Sequence, residues 1–179
     1  MSAARVGYSA ALYARENPMS PNALRWIMNV WPPFLFSGVR VEFISPDWRQ
    51  VRVRMRLHWF NRNYVGTHFG GSLFSMTDPF WMIMVLRALG DEYIVWDKAG
   101  EISFVSPGRA TVLAEFHLSD AVLDELRARA DVERSVLHWF DTDVRSASGE
   151  LVAKVRKQIY VRRKRPAGST PPDGDSAAS

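Results

Sequence analysis

The residues best suited to chemistry lie in one stretch, Asn61-Arg62-Asn63-Tyr64-Val65-Gly66-Thr67-His68-Phe69-Gly70-Gly71, with Asp78 a short way beyond it. Two adjacent glycines at a helix start let a ligand approach unpaired backbone N–H groups, and the helix dipole favours negative charge there. That is the donor arrangement of an oxyanion hole. Asp78 stands about two turns further along in an otherwise apolar segment, where a carboxylate is costly unless it is paired or opens into a cleft. So placed, it is a candidate general base or nucleophile. A second reading explains the same residues locally: Asp78-Pro79 is a common helix start, with Asp78 as N-cap and Pro79 as first helical residue, and Gly70-Gly71 then fall in a loop.

Other chemistries lack their residues. The 179 residues include no cysteine, which excludes disulfides, thiol nucleophiles and Cys-ligated zinc. His58, His68, His117 and His138 show no metal-ligand spacing, so no metal or other cofactor is expected. Gly70-Gly71-Ser72-Leu73-Phe74 lacks the final glycine of a nucleophile elbow, and neither a phosphate-binding Gly-x-x-x-x-Gly-Lys nor a dinucleotide fingerprint occurs. Net charge is +4, yet Lys154, Arg156, Lys157, Arg162, Arg163, Lys164 and Arg165 lie together and the rest of the chain is net acidic. This reads as a last strand ending in a solvated basic tail, and no nucleic-acid partner is expected. The apolar run Pro79 to Leu86 is too short to cross a bilayer and Met1 to Ser20 lacks a secretory-signal pattern, so no membrane insertion and a cytoplasmic location are expected.

The elements that must position Asp78 follow from periodicity. In PFWMIMVLRAL only Arg87 is charged, whereas a surface helix shows a broad polar stripe. A helix from Gly70 to Leu89 must therefore be buried on most sides, with Pro79 kinking it if it starts near Gly71. Ser20 as N-cap and Pro21 start an earlier helix, which ends before Trp31-Pro32-Pro33. Val39, Val41 and Phe43, and then Val51, Val53, Met55, Leu57 and Trp59, alternate with polar residues, as in antiparallel strands with one wet face. Arg52, Arg54 and Arg56 fall on that wet face, where alternation accounts for them without a phosphate.

Further strands are expected at Tyr93–Val105, Ala110–Leu118, Val136–Val144 and Leu151–Arg162, with Ser119 capping a short helix between the second and third of these. Asp97 and Lys98 share the first of the four, as a buried ion pair only if a bulge puts them on one face. The result is an α+β domain of one six-stranded antiparallel sheet wrapped around a central apolar helix. It spans residues 20–165, between a flexible start at 1–19 and a disordered tail at 166–179.

With these motifs the sequence resembles the hotdog-fold superfamily, in particular the phenylacetyl-CoA-type branch of acyl-CoA thioesterases. That branch carries an Asn, a Gly three residues later, a His-Gly-Gly opening the central helix, and an Asp fifteen residues after the Asn. Asn63, Gly66, Gly70-Gly71 and Asp78 keep that spacing, with Phe69 at the His position and His68 one residue early. EISFVSPGRA, from Glu101 to Ala110, and SGELVAKVRKQIYV, from Ser148 to Val161, resemble the strand, turn and closing hairpin of the same fold. The likeness is strongest to hotdog proteins known only as a domain of unknown function.

The resemblance implies hydrolysis of an acyl-CoA or related acyl thioester at a site formed by two protomers of a dimer or tetramer. The Gly71 N–H would bind the thioester oxygen, Asp78 of the facing protomer would attack or activate water, and Asn63 would position the water or the carbonyl. Gly70, His68 and Phe69 would contact substrate. Apart from the resemblance, Lys98 is a candidate phosphate or pantetheine contact, against structural pairing, and Arg109 a candidate contact for coenzyme A phosphates, against a solvated loop charge. The alternative is a hotdog protein that binds an acyl-CoA or acyl carrier without cleaving it.

Overall fold

In the computed structural model, which describes residues 19–164, Ser20 caps helix α1 (Pro21–Val30) by accepting from the Ala23 N–H at 3.2 Å. The expectations for residues 1–18 and for 166–179 lie outside the described residues. Helix α1 ends before Trp31-Pro32-Pro33, as the sequence suggested, and Pro32-Pro33 then open a second short helix, α2 (Pro32–Ser37), which the sequence did not signal. Proline lacks only an N–H that the first turn leaves unpaired in any case. Gly38, at φ +74, then turns the chain out of α2 in the left-handed conformation.

Strands β1 (Val39–Ile44) and β2 (Gln50–Met55) pair antiparallel. A bulge between Val41 and Phe43 turns Phe43 outward and gives the inner position to Ile44. The alternation running on to Trp59 is not used: β2 stops at Met55, and Trp59 begins a 3₁₀ turn, Trp59–Asn61, with its ring in solvent. Met55 pairs with Val39 on one side and Val112 on the other, each the first residue of its strand, so the ladder has no partner to continue on.

The central helix is in two pieces, α3 (Gly70–Ser75) and α4 (Phe80–Leu89), with a turn at residues 76–79 between them. Then follow β3 (Tyr93–Phe104), β4 (Val112–His117), α5 (Asp120–Val132), capped by Ser119, β5 (Val136–Ser146) and β6 (Leu151–Arg163). The sheet order is β1-β2-β4-β5-β6-β3 with every neighbouring pair antiparallel. Its inner face closes on α4, burying Phe80, Trp81, Met84 and Val85, each worth roughly 1.5–3 kcal/mol in transfer from water. Trp81 stacks on Phe140 with centroids 4.4 Å apart, and its indole N–H donates to Thr142 Oγ1 at 2.8 Å, so the one polar atom of this ring is satisfied. This is the hotdog arrangement that the sequence implied.

The two edge strands end differently. At β1 the free backbone of Val41 is taken by Asn29 of α1: the Val41 N–H donates to Asn29 Oδ1 at 2.8 Å, and Asn29 Nδ2 donates to the Val41 carbonyl at 3.0 Å. At β3 one side pairs with β6, and among the described residues no strand pairs with the other.

Candidate active site

The first half of the central helix runs along β3 in four-residue steps. Gly70 lies against the Phe104 ring and Phe74 against Gly100, where an added Cβ would come within 2.7 and 2.6 Å of a ring carbon. One step further, Asp78 meets Lys157, which sits opposite Gly100 on β6. Lys157 Nζ is 2.7 Å from Asp78 Oδ1, 3.3 Å from Asp97 Oδ1 and 5.4 Å from the centroid of Phe74. The lysine side chain is 5% exposed and that of Asp78 56%, so a buried cation holds a carboxylate at the surface. Asp78 Oδ2 makes no bond to the described residues. Burial pushes the Asp97 carboxyl above its ordinary pKa; Lys157 opposes the shift and Asp78 adds to it.

The turn at Pro79 decides between the two readings of Asp78. The N–H groups of Thr77 and Asp78 donate to the carbonyls of Phe74 and Ser75, three residues back, at 3.0 and 3.2 Å, and Ile83 resumes the α pattern on Pro79. This local tightening absorbs the missing proline N–H. The cap position of α4 is Pro79, with no side-chain cap, and the Asp78 carboxylate points to Lys157 instead. Asp78 is therefore not an N-cap, and Gly70-Gly71 open a helix.

Asn63 organises the loop that leads to those glycines. Its Oδ1 accepts from the N–H groups of Val65 and Thr67, and its Nδ2 donates to Thr67 Oγ1 at 2.8 Å and the His68 carbonyl at 3.3 Å. His68 is buried under Gly108, with Nε2 2.8 Å from the Ala110 carbonyl, and desolvation holds its pKa below the ordinary value. It ties the loop to the turn after β3. Phe69 is exposed at the cap position of α3 with its ring over Gly71, and the N–H groups of Gly70 and Gly71 donate to no acceptor among the described residues.

Lys98 is the extra residue of a bulge between Asp97 and Ala99, exposed and without an ion pair among the described residues. The bulge thus exists, but the partner of Asp97 is Lys157, not Lys98. Arg109 is an exposed loop residue with no partner there either.

Lys157 is the residue that the sequence reading misplaced, by grouping it with the solvated basic tail. A signal was present: in Val155-Arg156-Lys157-Gln158-Ile159-Tyr160-Val161 the period of two puts Lys157 in phase with Val155, Ile159 and Val161, all buried. A lysine on the apolar face needs an acidic partner, and Asp78 and Asp97 supply two.

The model of the family described as "Domain of unknown function (DUF4442)" matches residues 22–161. No curated protein matches the sequence. Among solved structures, a Pseudomonas aeruginosa protein of unknown function, described as a probable thioesterase, superposes with a TM-score of 0.71 at 22% identity, covering 80% of this chain and 97% of that one. A Haemophilus influenzae thioesterase gives 0.60 at 11% identity, covering 86% and 97%. Mouse thioesterase superfamily member 2 gives 0.54 at 18%, covering 78% and 96%. At such identities these structures establish the fold alone. With its sheet, its interrupted central helix and a family model matched over most of its length, the chain belongs to the DUF4442 family of hotdog-fold proteins.

Proposed function

We propose that this protein hydrolyses acyl thioesters, acyl-CoA being the substrate class, at a site shared by two copies of the chain. The observation that carries the reading is Asp78: a half-exposed carboxylate at the break of a buried helix, held through one oxygen by buried Lys157 and free at the other. Within one chain, Gly71 and Asp78 are seven residues apart along the helix, about 10 Å by helical rise. One carbonyl carbon cannot be reached by both, since reacting groups must come within about 3 Å. A second copy resolves this, with Gly71 and Asn63 of one protomer facing Asp78 of the other. The edge of β3 that no described strand pairs with, beside Gly70 and Phe74, is where such a copy would pair.

In the proposed reaction the Gly71 N–H donates to the thioester oxygen as negative charge develops there. Asp78 Oδ2 takes a proton from water as the water oxygen bonds to the carbonyl carbon. Collapse of the tetrahedral intermediate breaks the C–S bond, and the thiolate takes up that proton to leave as free thiol. Phe69, Phe104 and Val105, all exposed near the helix start, offer an apolar lining for the acyl chain. The resting contacts of Asn63 are all within its own loop, which fits a role in shaping the glycine turn as well as in holding water.

Acyl-CoA hydrolysis by Asp78→Ala and by Asn63→Ala tests the proposal, each alone and then mixed after joint refolding. Each single variant should lose activity by 100-fold or more. In an equal mixture half the dimers are mixed, each with one intact site, so about a quarter of the parental rate should return. A mixture no better than its components removes the shared site. An Asp78→Ala protein that cleaves at the parental rate removes the hydrolase, and one that binds acyl-CoA intact beside an inactive parent favours the acyl-binding alternative.

A further inference from the structure

At the β1 edge, a cavity of about 320 Å³ opens between the end of α2 and the outer face of β1 and β2. Arg40, Arg54, Arg56, His58, Phe60 and Leu35 line it. Arg40 and Arg54 are direct cross-strand partners, and like charges so placed repel. Glu42 neutralises one of them, with Arg54 Nε 2.7 Å from its carboxylate. Arg40 and Arg56 have no acidic partner among the described residues, and the one amide in the wall, Asn29, is spent on Val41. The cavity thus concentrates guanidinium charge that the protein itself leaves uncompensated.

Its other wall is flat and apolar. His58 and Phe60 stack at 5.0 Å with planes 7° apart, and Phe60 and Leu35 are both about half exposed. Asn61, buried beneath, fixes this wall: its Oδ1 accepts from the His58 N–H at 2.7 Å, and its Nδ2 donates to the carbonyls of Ser37 and Arg56 at 3.0 and 2.8 Å. Guanidiniums grip phosphate oxygens in paired hydrogen bonds, and an aromatic face receives a planar ring. The volume is at the lower end for a small-molecule site.

We infer that this cavity is a binding site for a phosphorylated ligand of the nucleotide class, with Arg40 and Arg56 on the phosphates and Phe60 and Leu35 against the base. It lies four strand steps from Lys157, about 20 Å along the sheet, so it is separate from the Asp78 cluster of its own chain. The inference does not rest on the hydrolase reading. The ligand's source is either a free nucleotide or the nucleotide end of a larger molecule such as coenzyme A.

Calorimetric titration of the whole protein with adenosine 3′,5′-bisphosphate, adenosine and coenzyme A tests it. The bisphosphate should bind saturably, more weakly as salt is raised, and at least ten-fold more tightly than adenosine. Arg40→Ala with Arg56→Ala should weaken it at least ten-fold, and Arg40→Gln should do so in part. Arg52→Ala, on the same sheet face but outside the cavity and paired with Glu115, should leave it unchanged. Because Arg40 and Arg56 are exposed and have no ion-pair partner among the described residues, the urea midpoint of the double variant should match or exceed that of the parent. Coenzyme A binding with the same sensitivity assigns the site to the larger molecule, and bisphosphate binding without it assigns the site to a free nucleotide. No saturable binding, or equal weakening by Arg52→Ala, overturns the inference.

Discussion

The two edges of the sheet each rely on one buried polar side chain, and the chemistry of the two differs. At β1 a neutral amide, Asn29, exchanges two hydrogen bonds with Val41 and closes the strand. Behind β3 a cation, Lys157, faces two carboxylates, one half-exposed, while no strand among the described residues pairs with the outer edge of β3. An amide matched donor for acceptor leaves nothing to react, and its value is structural. A buried ammonium shared by two carboxylates holds charge near a surface, which stability alone does not require, since apolar replacements of buried ion pairs are often neutral or better. One edge is closed by its own chain, and the other is the edge at which the proposed second copy would add.

Closing the open edge should have the largest effect. Ala99→Lys with Ser103→Lys puts two cations on exposed positions of β3, a known way of preventing strand addition. Sedimentation should show the monomer, and thioester hydrolysis should fall by three orders of magnitude, about 4 kcal/mol in transition-state stabilisation, although Asp78 is untouched. Far-UV circular dichroism should keep the parental spectrum, while the urea midpoint falls because association no longer stabilises the folded chain. A variant that keeps the parental mass and rate would show that the edge plays no part.

Replacing the cation itself comes next. Lys157→Met keeps the stem and removes the charge, and breaking a buried pair from one side should cost about 3 kcal/mol, read from urea unfolding at neutral pH. The pH dependence gives the sharper test. The folded pKa of Asp97 is raised, so its contribution is fully present below the unfolded value near 3.8 and is lost as pH rises through the folded value. Lys157 opposes that rise, so without it the loss extends to higher pH. Parent and variant should differ least in acid and most near neutrality; a constant gap across the range would show that Asp97 does not sense the lysine.

Much of this contrast was legible in the sequence, unevenly. Alternation located the strands and the buried helix because burial on one face is a local, periodic constraint, and Ser20, Ser119 and Pro79 marked helix starts and the kink through backbone chemistry alone. Trp59 and Phe43 were misread because alternation says nothing of where a partner strand ends or a bulge intrudes. Trp31-Pro32-Pro33 marked the end of α1 correctly, but the short helix that these prolines open carried no signal, because it runs for only 6 residues and prolines in a first turn look like a stop. At the candidate site, Gly71 and Asp78 were singled out by their place at a helix start and in an apolar segment, and Asn63 by the resemblance alone. Lys157 was lost among neighbouring basic residues, since its partners stand 79 and 60 positions away in the chain and only the fold joins them. Asn29 carried no signal either, because an amide that caps a strand edge looks like any polar residue on a helix.

Asn29→Ala tests the closed edge and should have the smallest effect. It strands a buried N–H and a buried carbonyl on Val41, each costing about 1–3 kcal/mol if dry and less if water enters. A net loss of about 2 kcal/mol in unfolding free energy is expected, with the rate of thioester hydrolysis unchanged. Asn29→Asp should recover only part of it, because a carboxylate accepts from the Val41 N–H but has no donor for the carbonyl. If Asn29→Ala also changed the assembly state, toward larger species, the amide would be doing at β1 what the lysines are designed to do at β3, keeping other strands away. The two edges would then differ only in which of them the protein leaves available for a second chain.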